Sequence, residues 1–88
     1  MKSLHSDEYE EFLQVLIAAR KDAGITQQDL ATALGKPQSF VSKYERRERR
    51  LDVVEFISIA RAIGLEPSKT IRETEARIAF RSKQGTPR

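Results

Sequence analysis

The sequence predicts an all-α fold, a bundle of five short helices. Three observations lead there. Apolar residues recur at i, i+3 and i+4 spacing in five successive segments, and no segment shows the period-two alternation of a strand. Each segment opens on a residue suited to a helix start: Ser6, Thr26, Pro37, Asp52, and Pro67 or Ser68. Three of them close on a glycine: Gly24, Gly35 and Gly64.

In the first segment Tyr9, Phe12, Leu13, Leu16 and Ile17 form one stripe. Ser6 is placed to cap it, and Asp7 and Glu8 complement the positive end of the helix dipole. The second runs from Thr26, with Asp29 at the reciprocal capping-box position, and buries Leu30, Ala31 and Leu34. The third restarts at Lys36-Pro37, with Pro37 in the first helical turn, and reaches about Glu45, with Val41 and Tyr44 inward. Asp52-Val53-Val54-Glu55 is a second capping box, followed by Phe56, Ile59, Ala60 and Ile63 at helical spacing. The fifth helix is expected to reach about Arg81, with Ile71 and Ile78 on one face and Ala79 close by.

The chain has 88 residues, room for one domain with one modest core, and the expectation is a single domain over residues 1–81 and a disordered polar tail over residues 82–88. With 39% hydrophobic and 33% charged residues the composition is that of a globular protein. No apolar run approaches membrane-spanning length, and the N-terminus lacks an apolar signal core. Cysteine is absent, which excludes disulfides and thiolate metal sites. A cytoplasmic protein is expected.

An enzyme is not expected. The single histidine, His5, falls in an N-terminus expected to fray, no serine has a histidine nearby to activate it, and the four glycines are isolated, so none cradles a phosphate. The acidic opening, Asp7, Glu8, Glu10 and Glu11, is explained by helix-start electrostatics. Neither a cofactor nor a metal is expected.

Charge distribution is more informative than the net +3. Residues 36–50 carry six cations against Glu45 and Glu48, a local +4, while the acidic cluster lies near the N-terminus. One basic and one acidic face would suit a polyanion on the basic side, although charge alone is better explained by an ordinary solvated surface.

Helices two and three are each about two turns long with a break at Gly35, which is helix-turn-helix geometry. With Val41 and Tyr44 inward, helix three presents Gln38, Ser39, Ser42 and Lys43 outward. Gln can bond bidentately to an adenine edge, Lys to guanine acceptors, and Ser to base or phosphate. Phe40 either meets a thymine methyl or sugar, or packs on a neighbouring loop. Arg46-Arg47-Glu48-Arg49-Arg50 follows at once, placed to meet phosphates beside a groove. Arg20 falls on the buried stripe of helix one, where it needs a partner unless it snorkels to solvent; Glu45 is the candidate.

Thr26-Gln27-Gln28-Asp29-Leu30-Ala31 with Leu34-Gly35, then Gln38-Ser39-Phe40-Val41-Ser42-Lys43-Tyr44-Glu45, resembles the XRE helix-turn-helix family, which includes the lambda-type phage repressors and Cro. The resemblance spans residues 12–67. It implies a five-helix lambda-repressor-like domain with a central helix-turn-helix, its third helix in the major groove, acting as a homodimer on a palindromic operator. It also implies base reading by Gln38, Ser39, Ser42 and Lys43, a backbone contact from Gln27 that braces Gln38, and an Arg20–Glu45 ion pair. Lys36, Arg46, Arg47, Arg49 and Arg50 are the further candidates for the DNA backbone. One departure stands out: the family often has Gly right after the position of Arg46, and here the residue is Arg47. A positive φ there would cost Arg about 1 kcal/mol or more.

The expected function is sequence-specific transcriptional regulation, as a repressor, with double-stranded DNA and a second copy of the chain as partners. The dimer surface is expected at Leu65, Ile71 and Ile78, with Phe80 as a further candidate, although Ile71 and Ile78 equally suit packing onto the monomer core. The alternative is an antitoxin-type interaction module that binds a partner protein as well as DNA, through the acidic face or the last helix. Tight co-purification with a second small protein would favour that alternative.

Overall fold

The Ser6 hydroxyl accepts the Tyr9 N–H at 3.1 Å and so starts helix α1, Asp7–Asp22. A computed structural model describes residues 6–84, which hold four more helices: α2 Gln27–Leu34, α3 Gln38–Glu45, α4 Val53–Ile63 and α5 Pro67–Gln84. Among the described residues there is no strand, and no helix is long and apolar enough to cross a membrane. His5 lies outside them.

Two capping boxes set the starts of α2 and α4. The Thr26 hydroxyl accepts from Asp29 N–H at 3.0 Å while the Asp29 carboxylate accepts from Thr26 N–H at 3.1 Å. Asp52 and Glu55 exchange the same pair at 2.7 and 2.9 Å. Aspartate is thus long enough to close the first box. Helix α2 ends at Gly35, whose φ of 69° is left-handed; a Cβ there would meet nothing within 4 Å, so backbone conformation rather than space calls for glycine.

Pro37 does not begin the helical turn as the sequence suggested. It is the N-cap of α3, extended at φ −71° and ψ 155°, with no side-chain cap bond. Its fixed φ serves the extended connection, and α3 begins one residue later. Gly35, Lys36 and Pro37 therefore form a three-residue turn between α2 and α3.

The core unites Tyr9, Leu13 and Leu16 of α1, Leu30 and Ala31 of α2, Val41 and Tyr44 of α3, and Phe56, Ile59, Ala60 and Ile63 of α4. Phe12, Ile17, Leu34 and Leu65 pack around it half-buried. Ala31 is fully covered at the crossing of α2 and its neighbours, where a larger side chain would force them apart. Val15, off the apolar stripe, is buried and shares a cleft with Thr70 of α5.

Helix α5 departs most from expectation. Its inward positions are Thr70, Thr74 and half-buried Ile78, four residues apart, while Ile71 is 48% exposed. Threonine tolerates this burial because each hydroxyl bonds back along the helix, Thr70 to the Glu66 carbonyl at 3.1 Å and Thr74 to the Thr70 carbonyl at 2.9 Å. Apolar periodicity cannot register a face built from back-bonded threonines. The helix also continues through Gln84, so residues 82–84 are helical rather than part of a disordered tail; residues 85–88 lie outside the described range.

Candidate nucleic-acid interface

Helix α3 packs on α2 and turns Val41 and Tyr44 inward. At 100° per residue, Gln38, Ser39, Ser42, Lys43 and Arg46 then share an outward arc of roughly 140°. Gln38, Ser39, Lys43 and Arg46 are exposed and Ser42 is half-buried. Donors and acceptors of several kinds thus sit on one convex face of an eight-residue helix, the shape a major groove admits.

A buried ion pair fixes that face. Arg20 Nε and Nη2 donate to the two carboxylate oxygens of Glu45 at 2.7 and 3.0 Å, and Arg20 Nη1 donates to the Ile25 carbonyl at 2.8 Å. The Arg20 and Glu45 side chains are only 9% and 7% exposed. The hydrogen bond to Glu45 raises the Arg20 guanidinium above its ordinary value, so it stays charged despite its burial. Gln27 Nε2 donates to the same Glu45 carboxylate at 2.9 Å, and Gln38 Nε2 donates to the Gln27 amide oxygen at 2.6 Å. A continuous chain of bonds therefore runs from the interior of α1, through the last residue of α3 and the first of α2, to the first residue of α3. It leaves the Gln38 amide oxygen free and its orientation set.

Phe40 sits on the flank of α3 and is half-buried. Its ring is edge-on to Tyr44 at 5.7 Å, with Lys36 Nζ and Arg49 Cζ at 5.1 and 4.9 Å from its centroid. Leu34, Val54 and Ile59 line the same cleft. Of the two roles open to Phe40, packing is the one this geometry serves.

The loop after α3 reverses through a Schellman motif: Arg47 N–H bonds to the Tyr44 carbonyl at 3.1 Å and Glu48 N–H to the Lys43 carbonyl at 2.9 Å. Arg47 occupies the left-handed position at φ 64°, the only described non-glycine residue with positive φ. Its guanidinium pairs with Glu10 of α1. Arg49 pairs with Glu55 through two bonds of 2.9 and 2.6 Å, and that carboxyl is held down to about 2, first by the Arg49 hydrogen bond and then by the Asp52 N–H. Arg50 lies over the Tyr9 ring at 4.2 Å, and Arg46 pairs with Glu48 at 3.0 and 3.1 Å.

All four loop arginines thus have a partner within the chain. Sequence reasoning identified the cations and the capping role of Glu55, and missed the pairing of Glu10, Glu48 and Glu55 with Arg47, Arg46 and Arg49. Glu10 is 37 positions from Arg47, so no local spacing could have revealed that contact. The acidic opening does not form a separate face either. Glu10 meets the basic loop, and Glu11 binds Arg77 and Arg81 of α5 at 3.0 and 2.7 Å. At the other end, Leu65 is half-buried against the core, Ile78 is half-buried and Ile71 is exposed. Ile71 and Phe80 are nine residues apart, about 180° around α5, so they flank the buried face on opposite sides.

Comparison with known proteins adds to this geometry. The helix-turn-helix family model matches residues 16–69. Among solved structures, an XRE-family like protein from Pseudomonas syringae pv. tomato str. DC3000 is 51% identical, with a TM-score of 0.77 over 80% of this chain and 85% of that one. The clp gene regulator ClgR from Corynebacterium glutamicum shares the fold at 23% identity, with a TM-score of 0.76 over 90% of this chain and 84% of that one. No curated protein matches the sequence at a significant level.

Proposed function

The chain belongs to the XRE-type helix-turn-helix family, and from that premise we propose that it is a sequence-specific DNA-binding regulator, a repressor acting as a homodimer on a palindromic operator. The observation that carries this reading is the outward face of α3, a set of polar side chains held from behind by the Arg20–Glu45–Gln27–Gln38 chain of bonds.

Gln38, Ser39, Ser42 and Lys43 address base edges, with Gln38 preorganised by Gln27. Gln27, Lys36 and Arg46 address phosphates beside the groove. Arg47, Arg49 and Arg50 add positive potential there while their carboxylate and aromatic partners hold the loop in place. Two copies joined along Leu65, ahead of α5, and the Ile71 and Ile78 flank of α5 set their α3 helices in successive major grooves, about 34 Å apart. Occupancy of a promoter then blocks it sterically, with no need for an effector site.

The test is selection from a pool of random duplexes at roughly 0.15 M salt, where non-specific phosphate binding is weakened. The expected result is enrichment of an inverted repeat with half-sites one helical turn apart. Enrichment of a single half-site would refute the dimer and keep the reader. A second reading, an antitoxin-type module with a protein partner, draws on Phe80, 65% exposed on the flank of α5 away from Ile71. Absence of any enrichment from folded protein, with a second small protein retained on purification from its source, would favour it.

A further inference from the structure

The four loop arginines are not held alike. Arg47 is fixed by a left-handed backbone and by Glu10 of another helix. Arg49 grips Glu55, whose side chain is 20% exposed and which also closes the α4 capping box. Arg50 covers the Tyr9 ring. Arg46 differs: its only carboxylate partner among the described residues is Glu48, two residues on, and the two side chains are 58% and 51% exposed. An exposed pair of this kind contributes little to folding.

Its location is the second observation. Arg46 Nη1 also reaches the Ser42 hydroxyl at 3.4 Å, so the pair adjoins the outward face of α3. The backbone of Glu48 is fastened to the end of α3 through the Lys43 carbonyl, which makes its position a fixed feature of the turn. Arg46 and then Lys43 hold the Glu48 carboxyl below its ordinary value, so it is a full anion at neutral pH. It grips the Arg46 guanidinium with two parallel bonds, the geometry in which arginine also holds a phosphate.

We propose that Glu48 is a specificity-determining residue: its carboxylate occupies Arg46 as an intramolecular stand-in for phosphate, so that Arg46 engages DNA only when the rest of α3 is seated. The proposal rests on the DNA-binding reading above. Backbone contacts attract every sequence equally, and a built-in competitor lowers that general attraction. On a matched site the base contacts of α3 hold the duplex against the protein long enough for phosphate to displace the carboxylate. On unmatched DNA the exchange does not complete. Discrimination therefore gains from a residue that touches no base.

The experiment measures binding of the wild type, Glu48→Gln, Arg46→Gln and the double variant to a selected duplex and to a scrambled one, over a series of salt concentrations. Glu48→Gln is expected to bind the scrambled duplex about threefold to fivefold more tightly, the scale of one exposed ion pair. Its gain on the selected duplex should be smaller, so the ratio between the two falls. Its salt slope on scrambled DNA should steepen by about one unit. In the Arg46→Gln background the Glu48 substitution should have no effect. A gain that persists without Arg46 overturns the competition and makes Glu48 a simple repulsive charge. No gain, with a wild type that binds, overturns the proposal and leaves the DNA-binding reading intact. A folded wild type that binds neither duplex at any salt concentration overturns both.

Discussion

Two residues sit in positions that ordinary side chains avoid, and each has a compensating partner. Arg20 buries a charge in the core and is matched by Glu45. Replacing Glu45 by Ala leaves that guanidinium facing one carbonyl, the situation in which breaking a buried pair costs roughly 3–5 kcal/mol. A small domain has about 5–15 kcal/mol to lose. The urea midpoint of Glu45→Ala is therefore expected to fall sharply, and an unchanged midpoint would mean that water satisfies Arg20. Arg47 holds a left-handed backbone where glycine is the natural occupant. Arg47→Ala keeps the strain and loses Glu10, whereas Arg47→Gly relieves the strain. The glycine variant should be more stable than the alanine variant by about 1 kcal/mol, equivalent to about 4–8 °C in Tm. Equal melting temperatures would show that the backbone there carries no strain. The sequence made the Arg20 pairing legible, because a charge on an apolar stripe needs a counter-charge. It gave no hint of the Glu10 contact, which depends on how α1 lies beside the loop.

Among the elements, capped starts and glycine stops were readable because each is a local contact spanning three or four residues. The α2 and α4 boundaries follow from them directly. Pro37 was misplaced by one position since proline suits the N-cap and the first turn nearly equally in φ. Helix α5 was misread because its inner face uses threonine. The α4 box also predicts a pH dependence. Glu55 has its carboxyl lowered from 4.5 to about 2 in the folded state by Arg49 and the Asp52 N–H. A depressed folded value stabilises the native state above the unfolded value, and the contribution fades as pH falls from 4.5 toward 2. Glu55→Gln retains a capping amide and loses the ion pair. Wild type should melt above Glu55→Gln at pH 6, with the gap closing toward pH 2. A gap independent of pH would contradict the assignment.

At the scale of the molecule, the helix-turn-helix and its outward face were legible from one stretch of sequence, since α2 and α3 are consecutive and their pattern is local. The charge layout was not. Residues 7–11 and 36–50 read as opposite poles along the chain, yet folding brings Glu10 against Arg47 and Glu11 against Arg77 and Arg81. In the proposed reading this leaves a narrower set of groups on α3 and its flanks for DNA and places more weight on base readout. The α5 flank carries the proposed second copy. Ile71→Arg is expected to shift sedimentation from dimer to monomer and to weaken binding to a two-half-site duplex far more than to a single half-site. A dimer that survives this change would move the interface elsewhere.

The claim that α3 reads bases through a braced Gln38 is tested most directly by Gln38→Ala on the selected duplex and on the same duplex with each base pair changed in turn. The account predicts a loss of about 1–3 kcal/mol on the selected site, with discrimination flattened at one base position per half-site and unchanged elsewhere. An equal loss on scrambled DNA, or an intact base preference at every position, would contradict it.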